Sequence, residues 1–414
     1  MVCVWLTTLI FVVTYAGLGV GRLPGLRTDR AGIAVVGATL MMITGLLPLA
    51  QAVRPDSIDY ETLFLLFGMM VVVGALRLAG IFDGIAHRAL DQIRSPHGLL
   101  AATVVLTGLS AAFLVNDVVC VAFTPLVLRL TRRLGYDPLP HLVALATAAN
   151  IGSAATITGN PQNMIIGVQS RIPYVQFVAH LAPVALLGLL IDFLLIAAIY
   201  RRSLDPSCTP TPFDKPDPAP PAPRWLQYKA VLVTAGVIVL FFAGYPIALV
   251  ALGAAAIMLL SRLNPAKIFA QVDWSLLVMF VGLFIVVRAF QLHVVDHWRI
   301  EQWPMLIGHP VGALSVASTA LSNLVSNVPA VLLFEPVVRA MPLANQSTAW
   351  LALAMSSTFA GNLTLVGSVA NLIVVESAKR EGVTLTFTEY LKVGVPVTIL
   401  TVALGIAWLT LAHY

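Results

Sequence analysis

The stretch Leu114-Val115-Asn116-Asp117-Val118 decides the fold of this chain, because it sets a polar pair between two apolar arms. The arm Leu99–Val115 carries no charged residue, and neither does the arm Val118–Leu128. An ionisable residue in so apolar a setting is costly, so it marks a functional site unless it lies at a loop tip in water. Asp117 is therefore a candidate functional residue, with the solvated loop tip as the alternative.

The composition places this pair in a membrane protein. Of the 414 residues, 59% are hydrophobic and 10% are charged, with a mean hydropathy of +0.91. Uncharged apolar runs of 17 or more residues follow one another, which is typical of a polytopic helical membrane protein and excludes an ordinary soluble domain. The net charge of +5 does not indicate nucleic-acid binding, because the basic residues lie in loops and bias membrane orientation. Three scattered cysteines give neither a disulfide framework nor a metal site, and we expect no cofactor.

Twelve apolar segments are predicted, six in each half of the chain. The first six are Val2–Val20, Ala31–Ala52, Thr62–Leu78, Leu99–Leu128, Leu142–Val168 and Val175–Tyr200. The second six are Ala230–Gly244, Ile247–Leu260, Leu276–Phe290, Val311–Val338, Trp350–Ala378 and Val393–Ala412. A proline-rich linker that we expect to be extended and solvated separates the halves. The predicted domains are a first repeat at 1–200, the linker at 201–227 and a second repeat at 228–414.

Matching motifs indicate that the two halves are an internal repeat. Asn116 and Asn327 each precede a proline by nine residues, and a further asparagine, Asn150 or Asn362, follows 34 or 35 residues later. A Gly-x-x-x-Asn motif comes next in each half, at 159–163 and 367–371. This order makes Asn150 the predicted counterpart of Asn362, with about four extra residues, one helical turn, in the first half.

The fourth apolar segment of each half is too long to cross a membrane once and too short to cross twice. As a helix, Val118–Leu128 would span about 17 Å, against a hydrocarbon core of about 30 Å. A re-entrant hairpin with Asn116-Asp117 at its tip fits better. With two hairpins the 24 Lys and Arg divide 19 to 5 between the two sides, whereas single crossings would divide them 12 to 12. The positive-inside rule therefore favours hairpins, a cytoplasmic linker and both termini outside.

Each half then has five spans besides its hairpin, so the second half is inverted relative to the first. Secondary transporters have this design, and their sites lie at the membrane midplane where interrupted helices meet. Interruptions are predicted at 150–161 and 361–368, where Gly, Asn, Ser, Thr and Pro break two apolar segments. The predicted fold is an all-α polytopic membrane protein with about ten transmembrane helices and two re-entrant hairpins in two inverted-topology repeats.

Amide and hydroxyl side chains from these four elements are predicted to converge on one centre. The candidate solute-binding residues are Asn116, Asn150, Thr158, Asn160, Asn163, Asn327, Asn362, Thr364, Ser368 and Asn371. Such groups both donate and accept hydrogen bonds, which suits a hydroxylated or oxyanionic solute, and helix N-termini after each break add partial positive charge. No Lys, Arg or His lies within these motifs, so a charged anion would need dipoles or a co-bound cation. The alternative is that these amides only hold helices together.

Asp117 is the candidate coupling residue. It has no acidic counterpart in the second half, where Val328 stands in the matching place. A single unpaired carboxylate in the membrane favours binding of a proton or sodium ion. Asp192, Glu335 and Glu376 are weaker candidates.

At these motifs the sequence resembles the ion transporter superfamily, and within it the arsenite permease (ArsB) and Na⁺/H⁺ antiporter (NhaD) branch, near the uncharacterised ArsB-like anion permeases. Asn116-Asp117 followed by Thr124-Pro125 is similar to the first hairpin of that family, and Ser326-Asn327-Val328-Pro329 is similar to the second tip. Gly361–Ser368 is similar to the family's second break, whereas Gly159–Asn163 is closer to the version in the wider superfamily. The resemblance implies scaffold helices that form a homodimer and a mobile transport domain made of hairpins and broken helices. It also implies exchange of neutral trihydroxy arsenic or antimony for protons, in some members with a soluble ATPase partner.

The first functional hypothesis is proton-coupled efflux of arsenite or antimonite across a bacterial cytoplasmic membrane. The alternatives are a sodium- or proton-coupled transporter of a divalent anion, such as a dicarboxylate or a sulfate-like oxyanion, and a Na⁺/H⁺ antiporter. The expected partners are the lipid bilayer, a small inorganic solute and protons or sodium, without nucleic acid. No nucleophile–base pair or metal-ligand cluster indicates an enzyme.

Overall fold

The computed structural model describes residues 2–21, 28–82, 84, 95–204, 223–295 and 309–411. Within these residues the chain forms helices and no strands. Residues 205–222 of the predicted linker lie outside the described residues, as do several of the basic residues used in the charge count, Arg299 among them. The helices outside the hairpins and broken helices are Val2–Val20, Arg30–Ile43, Leu49–Ala52, Tyr60–Leu78, Tyr174–Ile199, Arg224–Phe242, Ile247–Leu259, Pro265–Phe269, Trp274–Phe290 (continued by a π-helical turn, Gln291–Val295) and Phe387–Leu411.

Seven helices among the described residues are long and apolar enough to cross a membrane, and three shorter ones are also apolar. The long ones are Cys3–Val20, Tyr60–Leu78, Pro96–Leu114, Tyr174–Ile199, Arg224–Phe242, Trp274–Val295 and Phe387–Leu411. The predicted class, an all-α polytopic membrane protein, is confirmed.

Both predicted hairpins are present, each with a one-residue turn. Their arms are Pro96–Leu114 and Asn116–Leu134 in hairpin 1, and Pro310–Val325 and Asn327–Ala340 in hairpin 2. The turn residues, Val115 and Ser326, have φ values of 62° and 79°, a left-handed conformation that non-glycine residues seldom adopt. Asn116 and Asn327 are thus the first helical residues after equivalent sharp turns.

The first arm of hairpin 1 runs parallel to the helix Pro138–Ser153. A Cβ on Gly152 would lie 2.1 Å from the carbonyl oxygen of Gly108, so the two backbones touch there. One turn further along, the Thr156 hydroxyl donates to the Ala112 carbonyl. Because these contacts advance together along both segments, the two helices point the same way.

The second arm runs the opposite way. Its first residue, Asn116, bonds to Asn150 near the end of Pro138–Ser153, while its last, Leu134, lies only four residues before the start of that helix. The two arms are therefore antiparallel and form a re-entrant hairpin. The second arm is 19 residues long, about 28 Å. It exceeds the 11 apolar residues of the prediction because the helix continues through three arginines and ends at Gly135, with φ 70°.

Two helices are interrupted, as the sequence predicts. Broken helix 1 consists of Pro138–Ser153, a 3₁₀ turn at Ile157–Gly159 and Pro161–Ser170, and broken helix 2 of Leu343–Ala360 and Val369–Arg380. Asn160 and Ser368 cap the second segments, because their side chains accept the backbone N–H groups of Asn163 and Ala370. The cap position explains why polar residues recur at these two places.

The internal symmetry has a different register from the predicted one. Asn163 donates its side-chain amide to backbone carbonyls ten and seven residues earlier, and Asn371 does the same. This shared pattern fixes the alignment across the breaks and makes Thr358, not Asn362, the counterpart of Asn150. The predicted pairing of Asn150 with Asn362, and the four-residue insertion it required, is wrong. Both breaks keep the same spacing, and Asn362, which lies inside the second break, produced the false match.

The remaining helices form a scaffold in which the two repeats exchange partners. Gly68 in Tyr60–Leu78 lies against Ala251 of the second repeat, nine residues after the N-cap Asp59. Gly282 follows the N-cap Asp273 by the same nine residues, which makes it the counterpart of Gly68, and it lies against Ala34 of the first repeat. A Cβ on either glycine would lie 2.6 or 2.7 Å from the facing carbonyl carbon, so only glycine permits the contact. This crossed packing is what a two-fold relation between the repeats produces.

Candidate functional site

Asn150 is the hub of a buried hydrogen-bond network. Its side-chain oxygen accepts bonds from Asn116 Nδ2 and Ser368 Oγ, each at 3.0 Å. Its Nδ2 donates to Asn362 Oδ1 at 2.8 Å and to Asn371 Oδ1 at 3.0 Å. One fully buried side chain thus joins hairpin 1 to both broken helices.

Backbone carbonyls fix the direction of these bonds. Asn371 donates its side-chain amide to the carbonyl oxygens of Gly361 (2.7 Å) and Thr364 (3.2 Å), so its own side-chain oxygen must accept. Asn150 must therefore donate to Asn371 and accept from Asn116. As a consequence, the side-chain oxygen of Asn116 is buried without a partner among the described residues.

Thr358 forms a second hub on the symmetric side. Its hydroxyl lies 3.3 Å from Asn160 Nδ2, Gln162 Nε2 and Asn163 Oδ1, accepting from the first two and donating to the third. Sequence reasoning missed Thr358 and Gln162. A single hydroxyl within an apolar helix forms no recognisable sequence pattern. The mistaken register also made Asn362, rather than Thr358, the counterpart of Asn150.

A cavity of about 580 Å³ lies between the two hairpin tips and the scaffold. Of the predicted residues, Asn116, Asp117, Asn327 and Ser368 line it. The scaffold and broken helix 1 add polar lining residues that sequence reasoning did not select for the site: Asp29, Arg30, Gln162, Asp273 and Ser275. Asp29 and Asp273 could have been selected from the sequence as helix N-caps. Both helices begin beside the cavity, so their capping side chains line it.

The two tip residues carry equivalent unpartnered acceptors beside the cavity. The side-chain oxygens of Asn116 and Asn327 are both buried, and neither has a hydrogen-bond partner among the described residues. An amide oxygen is satisfied by an O–H or N–H donor or by a cation. A carboxylate or other fully deprotonated oxyanion has only acceptors, so it cannot satisfy either oxygen.

The charged groups that line the cavity are mainly acidic. In the described part of the chain they are the carboxylates of Asp29, Asp117 and Asp273 and the guanidinium of Arg30. Asp117 lies in the first turn of its helix, where the helix dipole favours a negative charge. The cavity therefore offers a poor electrostatic environment to a multiply charged anion.

The other predicted residues lie behind the cavity wall and bond to neighbouring segments. Thr158 lies 3.1 Å from the Tyr174 hydroxyl, and Thr364 donates to Asn323 Oδ1 at 3.1 Å. Asn362 donates to the Thr147 carbonyl at 3.2 Å. Asn150, Asn160, Asn163 and Asn371 likewise make their described bonds within the network. These contacts hold the broken helices in place, so for this group direct contact with a solute stays a prediction.

The cavity reaches the end of the molecule to which the linker attaches, which we call the linker face. At the opposite end, the far face, polar contacts join the scaffold to broken helix 1 beside a second cavity of about 590 Å³. Arg171 pairs with Glu61 at 2.9 Å, and Gln169 donates to Asp59.

Comparison with known proteins identifies the family. Residues 10–360 match the model of the citrate transporter family, CitMHS. A 46 kDa membrane protein of Mycobacterium leprae is 31% identical over 98% of this chain and 97% of that protein. The silicon efflux transporter LSI3 of Oryza sativa subsp. japonica is 32% identical over 92% and 93% of the two chains, and the putative transporter arsB of Dictyostelium discoideum is 25% identical over 97% and 90%.

A solved structure shares the fold. The YdaH transporter of Alcanivorax borkumensis, described as having an unusual topology, superposes with a TM-score of 0.60 at 14% identity, covering 99% of this chain and 97% of that one. The family match extends over most of the chain and includes both hairpins and broken helix 1. The protein therefore belongs to the citrate transporter family and is a secondary membrane transporter of small solutes.

Proposed function

We propose that this transporter exports arsenite or antimonite as the neutral trihydroxy species in exchange for protons, as a member of the ArsB-like branch. The observation that carries the proposal is the pair of buried, unpartnered amide oxygens of Asn116 and Asn327 at the cavity. A neutral trihydroxy solute brings O–H donors to both oxygens at once. Its remaining oxygen lone pairs can accept from the Gln162 amide on the same wall, which has a second N–H besides the one that it donates to Thr358.

The charge of the cavity supports a neutral solute. Each added negative charge on a solute about 8 Å from a carboxylate costs roughly 2 kcal/mol at an effective dielectric constant of about 20. Three carboxylates and one guanidinium line the cavity, so the penalty grows with every charge on the solute. A trihydroxy species avoids it.

Asp117 is the proposed proton carrier. It follows Asn116 directly and lines the same cavity, so a proton and a solute would occupy neighbouring positions. Alternate occupation of the two positions gives exchange of one for the other. The relative named as a silicon efflux transporter supports an outward direction. We place the linker face in the cytoplasm of a bacterial inner membrane; the homodimer and the ATPase partner stay predictions.

A citrate or dicarboxylate importer is the second candidate, because the family model carries the name of citrate and Arg30 offers one guanidinium to an anion. A Na⁺/H⁺ antiporter is the third, since two amide oxygens and a carboxylate are suitable sodium ligands. The citrate candidate explains neither the acidic cavity nor the two amide oxygens that need a donor or a cation. The sodium candidate explains both features, and the relative named as a silicon efflux transporter favours a hydroxylated solute over it. A neutral hydroxylated solute accounts for both.

Uptake into everted membrane vesicles tests the proposal. Arsenite, citrate and sodium are offered in turn to vesicles energised with a proton gradient, with wild type, Asp117→Asn and the exposed-site control Glu376→Gln. We expect gradient-driven arsenite uptake in wild type and in the control, and none with Asp117→Asn. Citrate uptake without arsenite uptake would select the second candidate, and unchanged arsenite exchange in Asp117→Asn would remove Asp117 from its role.

A further inference from the structure

Asp192 is a buried carboxyl group that the proposed exchange does not use. It lies inside the helix Tyr174–Ile199, seven residues or about 10 Å from the linker end. Its side chain is fully buried, and neither carboxyl oxygen has a hydrogen-bond partner among the described residues. A carboxylate that stays charged in such surroundings costs several kcal/mol unless it binds a cation or a proton.

The packing of this helix directs Asp192 toward the centre of the transport elements. Gly188, one turn earlier, lies where a Cβ would be 2.9 Å from Ile151 and 3.3 Å from Thr401. The same face of the helix therefore meets the break of broken helix 1 and the last helix, Phe387–Leu411. Asp192 lies on that face, away from lipid.

Two hydroxyl groups are the described neighbours of the carboxyl group. Thr147 on broken helix 1 and Tyr390 on the last helix are its electrostatic neighbours, and both helices pack against the helix of Asp192. The Tyr390 hydroxyl is itself buried without a partner among the described residues. The carbonyl of Thr147 accepts the amide of Asn362, which in turn accepts the amide of Asn150. The Thr147 hydroxyl itself donates to the Val143 carbonyl, so Asp192 lies beside this network without being hydrogen-bonded to it.

We propose that Asp192 is a second proton-binding site of the transport cycle, separate from Asp117. The step is a simple protonation: one carboxylate oxygen takes up a proton and the group becomes neutral, and the reverse step releases it. Two hydroxyl oxygens are too few to complete the ligand shell of a sodium ion, whereas a proton needs none. This inference rests on the proposed function only in that the protein carries protons.

The other titratable groups on the helices packed around Asp192 do not neutralise it. Glu389 and Lys392, at the linker end of the last helix, pair with each other at 2.5 Å. His141, two turns before Thr147 along broken helix 1, has both ring nitrogens buried and without partners in the described structure. The remaining ones are His97 on hairpin 1 and Arg224, Tyr228 and Lys229 on the helix after the linker.

Infrared spectroscopy tests the proton site without any solute. A protonated carboxyl group buried in the protein gives a C=O stretching band that shifts in heavy water, and exposed carboxylates do not contribute at neutral pH. We expect the band of Asp192 in wild type and in Asp117→Asn, and its loss in Asp192→Asn. The conservative variant Asp192→Glu should restore a band at a shifted position. Spectra of Asp192→Asn that match wild type at every pH would overturn the inference, whatever the solute proves to be.

The coupling ratio tests the role in transport. In proteoliposomes with a fixed pH difference of about one unit, loss of one proton per solute lowers the equilibrium accumulation of that solute about tenfold. We expect this loss in Asp192→Asn and wild-type accumulation in Asp192→Glu. A merely structural role would slow uptake and leave the final ratio unchanged, which would refute the proposal. Failure of wild type to carry arsenite would refute the proposed substrate alone, because the infrared result does not depend on it.

Discussion

Asn150 and Thr358 are counterparts in the two repeats, and each bonds to the broken helix of the other repeat. Asn150 accepts from Ser368, which caps the second segment of broken helix 2, and Thr358 accepts from Asn160, which caps the second segment of broken helix 1. The bonds cross the symmetry axis in both directions. The two broken helices are therefore joined into one unit, while the side-chain oxygens at the hairpin tips are left for the cavity.

Replacing Asn150 with alanine should destabilise the transport elements. The change removes four hydrogen bonds and leaves buried amides and a hydroxyl unpaired, at about 1–3 kcal/mol for each group. We expect a large fall in the melting temperature of the detergent-solubilised protein, measured by intrinsic fluorescence. Asn327→Ala is the matched control and should melt near wild type, because the Asn327 side-chain oxygen makes no internal bond. Equal melting of the two variants would show that Asn150 is not a hub.

The same Asn327→Ala variant should weaken solute binding. Loss of one hydrogen bond to a solute hydroxyl is worth about 1 to 1.5 kcal/mol, or roughly tenfold in affinity. The KM of uptake should therefore rise about tenfold, with a smaller change in kcat. Asn116→Ala should raise the KM as well but also lower the melting temperature, since Asn116 donates to Asn150. A KM that is unchanged in both variants would place the solute elsewhere.

The sequence predicts the fold of this protein better than its site. Asn116 and Asn327 stand out because polar groups inside apolar runs are rare, and the structure puts both directly after the sharp turns of the hairpins. The breaks are equally legible, since Gly, Pro and polar residues interrupt apolar helices only at specific places. These signals are local, so they can be recognised without knowing which helices pack together.

Tertiary packing decides which polar groups line the cavity, so these groups cannot be identified from local sequence patterns. Asn163 and Asn371 recur at equivalent positions, yet they are occupied with backbone carbonyls. Arg30 and Asp273 come from scaffold helices distant in sequence from the motifs, and the fold alone brings them to the tips. Sequence motifs that recur in both repeats identified the residues that build the hairpins and broken helices. Buried polar atoms without a hydrogen-bond partner identify the residues that remain for a ligand.

The Arg171–Glu61 pair at the far face predicts the contact that should close the linker face. Arg171 and Glu61 pair across the boundary between broken helix 1 and the scaffold. By the internal symmetry their counterparts are Lys379 and Ser275, and Ser275 lines the open cavity in this structure. We expect a disulfide between Arg171→Cys and Glu61→Cys to form in this state and to block transport. A disulfide between Lys379→Cys and Ser275→Cys should form only when the far face opens.

Cross-linking under opposite solute gradients distinguishes these states. The gradient that raises one cross-link should lower the other, because one face closes as the other opens. Pairs that both form fully under a single condition would contradict alternating closure. A matched control pair is provided by Arg380→Cys with Glu376→Cys, which lie four residues apart on one helix and should not respond to the gradient.

Gly152 and Gly253 give a paired test of how hairpin 1 is held. A Cβ on Gly152 would lie 2.1 Å from the backbone oxygen of Gly108, so alanine there must push the first arm of the hairpin away from broken helix 1. Close contact between small residues is a principal source of helix association in membranes. We expect Gly152→Ala to lower the melting temperature and to abolish uptake. Gly253, by contrast, faces open space within Ile247–Leu259, and alanine should leave stability unchanged or raise it by up to about 1 kcal/mol. Normal uptake by Gly152→Ala would mean that the hairpin is not seated on broken helix 1 during transport.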